Sequence, residues 1–209
     1  MNYFIIDGEG IPKKGNEPYE LGYCIVNDEG ETLIKRDFFF PHFMKQNAMA
    51  TFASDNYDYY MARKKSGEFI TVWDVESDFI SVLKEDLDST NTHAFLAWKA
   101  SVDWNFLCSL CGEGRVKKWF ERWYDISNGA AFDKDYVEWC YKTYNVSEKG
   151  YPRFTVDACL LYVNGDDYRP EVHRGIEDCI DEATLAIRFG LNNYEKWTTD
   201  AGQLWRKFK

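Results

Sequence analysis

The chain has 209 residues, 45% of them hydrophobic and 18% aromatic, a composition that excludes intrinsic disorder and supports a substantial core. Its 35 acidic against 25 basic residues give a formal net charge of −10 at pH 7, which argues against a surface that binds polyanions over its whole area. With no apolar stretch long enough to span a bilayer and no secretory pattern at the start, one domain over 1–209 is expected, intracellular and cytoplasmic, with no membrane partner.

The first apolar run, Tyr3 to Ile6, predicts a strand that stops on Asp7, with Glu9 two residues later, in the stretch "FIIDGEG". Side chains at i and i+2 of a strand share a face, so the two carboxylates would stand side by side and repel. A hard divalent cation relieves such a pair. The alternative is that the strand has ended and both acids are solvated at a turn shaped by Gly8 and Gly10.

After a polar turn, "YELGYCIVNDEGETLIKRDFFF" reads as two strands joined at Asn27-Asp28-Glu29-Gly30, which makes the first three strands an antiparallel meander. Pro41 to Thr71 is less regular, and its "ARKKSG" reads as an exposed basic loop or short helices. Phe79, Ile80, Leu83 and Leu87 recur at helical spacing over Val75 to Leu87, with Asp74 as an N-cap. "HAFLAW" at 93–98 returns to strand, and a helix opens near Asp103 with Phe106, Leu107 and Leu110 on one face. Further helices are predicted in "KKWFERWY", "KDYVEWCYKTY" and "TVDACLLYV", and a long one over Gly175 to Phe189. A meander followed by alternating helix and strand predicts an α/β fold, a mixed sheet flanked by helices.

Six cysteines are scattered through these elements rather than set as a secreted framework, so they read as core thiols. "CSLC" at 108–111 has no second close Cys/His pair to complete a zinc set. The "NVS" at Asn145 matters only in a secreted chain.

Three separated stretches carry the chemistry: "FIIDGEG" with Asp7 and Glu9, "LAWKASVDWNFL" with Asp103, and "HRGIEDCIDEA" with His173 and, five residues on, Asp178. With these residues in this order the sequence resembles the DEDDh 3′–5′ exonuclease superfamily, which includes polymerase proofreading domains, RNase T and oligoribonuclease. The resemblance runs from about Tyr3 to Phe189. It implies a ribonuclease H-like sheet, antiparallel in its first three strands and parallel thereafter. It also implies two divalent cations, Mg²⁺ or Mn²⁺, held by Asp7, Glu9, Asp103 and Asp178. In that scheme Asp7 bridges both ions, Glu9 and Asp178 complete the water-activating site, Asp103 helps hold the second ion, and His173 is the general base. The implied substrate is the 3′ end of single-stranded DNA or RNA, or a short oligonucleotide, cut to nucleoside 5′-monophosphates.

Two departures bear on substrate. Gly10-Ile11-Pro12 stands where the family often has Thr-Thr-Gly, and Trp98-Lys99 where it often has His-Asn. Gly10, Ile11, Trp98, Lys99 and Trp104 are therefore the candidate substrate contacts, the aromatics by stacking bases. Core packing is the better reading of Trp98, Trp104 and Phe106 as single residues. Taken alone, Asp103 could cap its helix and Asp178 could favour a helix N-terminus. Glu177, Asp181 and Glu182 read as solvated helix positions, and His42 and His93 as structural. Lys13-Lys14, Arg63-Lys64-Lys65 and Arg115-Lys117-Lys118 could steer a strand or simply face solvent. The competing functional readings are a nuclease-fold module that binds nucleic acid or a regulatory partner without turnover and, more distantly, a structural interaction protein.

Overall fold

A computed structural model describes residues 1–11, 17–44 and 56–198. Strands β1 (Asn2–Ile11), β2 (Glu17–Asn27) and β3 (Thr32–Phe39) form the antiparallel meander, and β4 (Ala94–Ala97) and β5 (Trp123–Asp125) add to β1 in parallel, giving the order β3-β2-β1-β4-β5. The β2–β3 turn closes with Gly30 N–H on the Asn27 carbonyl, and the Asn27 side chain accepts from the N–H groups of Glu29 and Glu31. Asn at this corner thus supplies the Asx-type bonds that make it a turn former. The helices are α1 (Tyr57–Ser66), α2 (Ser81–Thr90), α3 (Ser101–Cys111), α4 (Glu113–Trp119), α5 (Ile126–Phe132), α6 (Lys134–Lys142), α7 (Val156–Asn164) and α8 (Gly175–Arg188). Among the described residues no helix is long and apolar enough to cross a membrane.

The sheet separates two apolar cores, and the period-two alternation of the strands decides which residue joins which. Tyr3 and Ile5 of β1, Cys24 and Val26 of β2 and Leu96 of β4 face a layer made by α5 to α8. Phe4 and Ile6, Tyr23 and Ile25, and Phe95 face a layer made by α2, α3 and α4. Continued along β1, the same alternation points Asp7 and Glu9 toward α8 and Gly8 and Gly10 toward α3. Phe106 of α3 fills the space that β-carbons at Gly8 and Gly10 would need, 2.7 Å and 2.8 Å from its ring atoms. The strand therefore does not end at Asp7. It runs on to Ile11, with a bulge between Glu9 and Gly10.

Two sequence expectations are corrected outright and a third in part. "KKWFERWY" is not one helix: α4 stops at Trp119, and Trp123 and Tyr124 pair with Phe95 and Leu96, because β4 would otherwise leave a buried edge unpaired. The helix α5 that follows, with the sequence ISNGAAF, is too short to show a helical period. Asp125 caps it by accepting from Ser127 N–H at 3.0 Å. Asp74 makes no capping bond; its carboxylate accepts from the Thr71 hydroxyl, and the chain enters α2 through a wide π-type turn, Val75–Ile80. The basic "ARKKSG" stretch lies in and just beyond α1, where Arg63 is largely buried in ion pairs with Glu20 and Asp37 and is not free to steer a ligand. Lys13 and Lys14 lie outside the described residues.

The closest approach of a helix to the sheet is at α8. A β-carbon on Gly22, the β2 partner of Asp7, would lie 2.3 Å from the Gly175 carbonyl carbon. Glycine on both sides lets the helix start lie directly on the strand. Gly22→Ala is expected to cost about 3 kcal/mol or more through overpacking that backbone cannot relieve, read as a lower urea midpoint.

Candidate metal centre

Three chain segments meet above the C-terminal half of β1. Glu9 of β1, His173 in the loop before α8, and Asp178 in the first turns of α8 each place a potential ligand atom within 4.8 Å of the others. Asp7 lies beside them on the same strand face. Its Oδ2 is buried without a hydrogen-bond partner among the described residues, as is Oδ1 of Asp178. Asp178 Oδ2 is satisfied locally by the Arg174 N–H at 2.9 Å.

Asp103 approaches from the opposite side of the sheet. It is not the cap of α3, whose N-cap position is Ala100; it sits in the first turn, buried, and its Oδ1 accepts the N–H of Gly8 at 3.0 Å. A side chain at position 8 would displace the Phe106 ring beside this contact, since a β-carbon there falls 2.7 Å from a ring carbon. The Asp-Gly-Glu-Gly pattern thus puts acids on one face and admits Phe106 and Asp103 to the other.

The structure adds one acid that the sequence reading assigned to solvent. Glu182 is 1% exposed, and its Oε2 accepts the Trp98 N–H at 3.0 Å. It lies one helical turn after Asp178, on the stripe of α8 that also buries Cys179, Ala183 and Ala186. A helical projection carries that signal, because a charge on an apolar stripe needs a reason. Glu177 and Asp181 are half-buried, and Glu177 pairs loosely with Arg174.

Burial, reinforced by neighbouring charge, raises the proton affinity of every carboxylate in the cluster. Burial, then the charges of Glu182, Asp103, Glu9 and Asp178, holds Asp7 well above the usual carboxylate range. Burial dominates in the same direction at Asp103 and at Glu182. Glu9 is pushed up to about 7 by burial and by the charges of Asp178 and Glu20. Asp178 reaches about 7 through burial, opposed by the Arg174 N–H. Glu171, at the rim, is pushed up to about 8 by burial and then by Asp178. Among the described residues no lysine or arginine forms an ion pair with Asp7, Glu9, Asp103, Asp178 or Glu182. Orphaned buried oxygens together with unneutralised acids fit hard divalent cations, which take carboxylate oxygens.

The candidate substrate contacts divide. Trp98 (7% exposed) and Trp104 (5%) belong to the two cores, Trp104 edge-on to Phe95, so their rings are packing groups rather than open stacking platforms. Phe106 is likewise buried. Gly10 and Ile11 end β1, and Gly10 lies against Phe106. Lys99 is exposed on a left-handed backbone, φ 53°, with its N–H on Asp125 Oδ1 at 3.1 Å. His42 lies against the Phe43 ring at a tilt of 52°, and His93 bonds Asn91. All six cysteines are free. Comparison of the sequence with protein-family models and with curated proteins gives no match.

These shifts make a signed prediction. With folded values near 7 for Glu9 and Asp178 against unfolded values of about 4, the folded state holds more protons between those limits. Stability of the metal-free protein should therefore fall as pH rises across that window. Mn²⁺ needs the deprotonated acids, so its stabilisation should grow with pH, reaching about 2.7 kcal/mol, or about 5–10 °C in Tm, at about a hundredfold excess over Kd. Scanning calorimetry in chelator and in Mn²⁺ at about pH 5.5 and about pH 8 checks both signs. Asp7→Asn should raise the chelated Tm at the higher pH and abolish the Mn²⁺ shift.

Proposed function

We propose that this chain is a metal-dependent 3′–5′ exonuclease of ribonuclease H-like fold, acting on single-stranded DNA or RNA or on short oligonucleotides. The observation that carries the reading is the convergence of Glu9, His173 and Asp178 within 4.8 Å, beside the unpartnered Asp7 oxygen. The sheet order, the Gly8 contact of Asp103 and the order of the three motifs support it. Free thiols throughout the described residues fit a reducing, intracellular compartment.

In this reading Asp7, Glu9, Asp103 and Asp178 would hold two divalent cations, Mg²⁺ or Mn²⁺. When bound, these supply Lewis-acid stabilisation of the phosphoryl and departing oxygens and lower the pKa of a water. The protein's own part is orientation and proton transfer. An imidazole nitrogen of His173, which stands within reach of Glu9 and Asp178, takes the proton of the attacking water. Asp103, tied to Gly8 N–H, fixes α3 against the strand, so the acids from the two sides of the sheet keep their separation. Glu182, through Trp98 N–H, fixes the turn that leads from β4 to Asp103. Lys99 projects from that turn into solvent, a cation placed for a substrate phosphate.

A time course on matched single-stranded DNA and RNA, labelled at the 5′ or the 3′ end, tests the reading. Mg²⁺ or Mn²⁺ should support stepwise shortening from the 3′ end with release of mononucleotides, and chelator should stop it. Binding of 3′ ends without release would instead make the chain a binding module. His173→Ala should lower kcat by about 10²–10⁴-fold while Mn²⁺ binding, measured by calorimetric titration, persists. Parental turnover in that variant would remove His173 from the mechanism.

A further inference from the structure

We propose that the start of α1 is a clamp for the catalytic imidazole, and that Asn56 and Tyr60 are positioning residues that set its place over Glu9 and Asp178. The inference rests on the reading of His173 as general base and adds residues that the three motifs do not contain.

His173 has a left-handed backbone, φ 55°, in which an L residue is strained unless its surroundings hold it there. Asn56 does the holding. Its Nδ2 donates to the Val172 carbonyl at 2.8 Å and to the His173 carbonyl at 3.1 Å, and its Oδ1 accepts from Arg174 Nε at 3.4 Å. One amide thus grips three consecutive residues with both of its protons and its oxygen. Asn56 also occupies the N-cap position of α1, yet it makes no capping bond there. An asparagine at that position ordinarily caps its own helix, so this one has its polar atoms committed to the His173 loop instead.

A second anchor lies one turn into α1. The buried Tyr60 donates to Glu20 Oε2 at 2.7 Å, and the same oxygen accepts the Gly175 N–H at 3.1 Å. Tyr60 Oη also lies 3.4 Å from the His173 carbonyl oxygen. The loop is therefore tied on both sides of His173, at 172–174 by Asn56 and at 175 through Glu20. The Tyr60 ring packs edge-on to Tyr19, 5.1 Å between centroids, and Tyr19 Oη reaches Glu9 Oε2 at 3.5 Å. One aromatic pair joins the support of the base to that of a metal ligand.

A group held through another should act only when that other is present, and a double-mutant cycle measures this. Asn56→Ala, and separately Tyr60→Phe, should lower kcat by about 10–100-fold, the scale of a misplaced catalytic group, with KM and Mn²⁺ affinity unchanged. In a His173→Ala background the same substitutions should cost nothing further. Equal losses in both backgrounds would overturn the clamp, since the effect would then pass through something other than His173. Parental kcat in both single variants would overturn it as well. Assay temperatures are set below each variant's measured Tm, and if Asn56→Ala unfolds, Tyr60→Phe, which keeps the packed ring, carries the test. Parental activity in His173→Ala itself would remove the base and the clamp together, whereas a His173-dependent enzyme indifferent to Asn56 and Tyr60 would remove the clamp alone.

Discussion

The alternation of one strand determines where the chemistry of this protein can be. Because β1 continues past Asp7, Asp7 and Glu9 share the face of Tyr3 and Ile5 toward α8, and Gly8 and Gly10 lie against Phe106 of α3. Acids at 7 and 9 are thereby forced onto one side, and the glycines at 8 and 10 leave the other side low enough for Phe106 and the Asp103 carboxylate. A register slip of one residue would exchange the two sets and destroy both the packing and the cluster. The glycine contact between β2 and α8 fixes the remaining coordinate: with Gly22 against Gly175, the first turns of the helix bring Asp178 down to the strand. Site and core are in this sense one construction.

The electrostatics of the rest of the molecule show what is unusual here. Elsewhere, buried acids come with partners from the chain itself. Asp86 takes two bonds from Arg36 and one from Tyr23, and Glu20 takes Arg63 and Tyr60. Such pairs are costly to break from one side, by about 3–5 kcal/mol, because the other charge is then left buried alone. Asp103, Asp178 and Glu182 are as deeply buried and Asp7 and Glu9 half-buried, yet among the described residues no lysine or arginine pairs with any of the five. Protonation or a bound cation relieves that arrangement, and the two compete for the same oxygens. The pH at which the site changes from one to the other is thus set by burial and shared charge rather than by any single residue.

Much of this was legible in the residues. The meander, β4, α3, α6, α7 and α8 follow from hydrophobic spacing and a turn signal, and of the five motif residues the fold brings Glu9, His173 and Asp178 within 4.8 Å of one another. What escaped was set by tertiary context. Trp123 and Tyr124 continue an aromatic pattern of helical spacing, but the open edge of β4 claims them for a strand, and local propensity has no access to that edge. Glu182 reads as solvated because acids dominate its neighbourhood in sequence, although a helical projection puts it on the buried stripe of α8. Asn56 and Tyr60 had no signal at all. Their partners lie more than a hundred residues away in Val172 and His173, across contacts that no local pattern encodes.

Backbone strain gives a last constraint, independent of charge. Four described residues other than glycine have left-handed backbones, Asn91, Lys99, Tyr144 and His173, and two of them flank the acid cluster. Asn91 ends α2 in the ordinary way for asparagine, as a residue that tolerates this conformation. Lys99 and His173 do not have that excuse, and each costs about 1–2 kcal/mol relative to a right-handed backbone. Each is held by side chains from another element: Lys99 N–H by Asp125, whose carboxylate also caps α5, and the His173 carbonyl by Asn56. Releasing either strain would move the turn before Asp103 or the loop before Asp178. The structure therefore sets its two longer-range acids with bent backbone that only the assembled fold can hold, which makes the geometry of the cluster contingent on complete folding rather than on the motif residues alone.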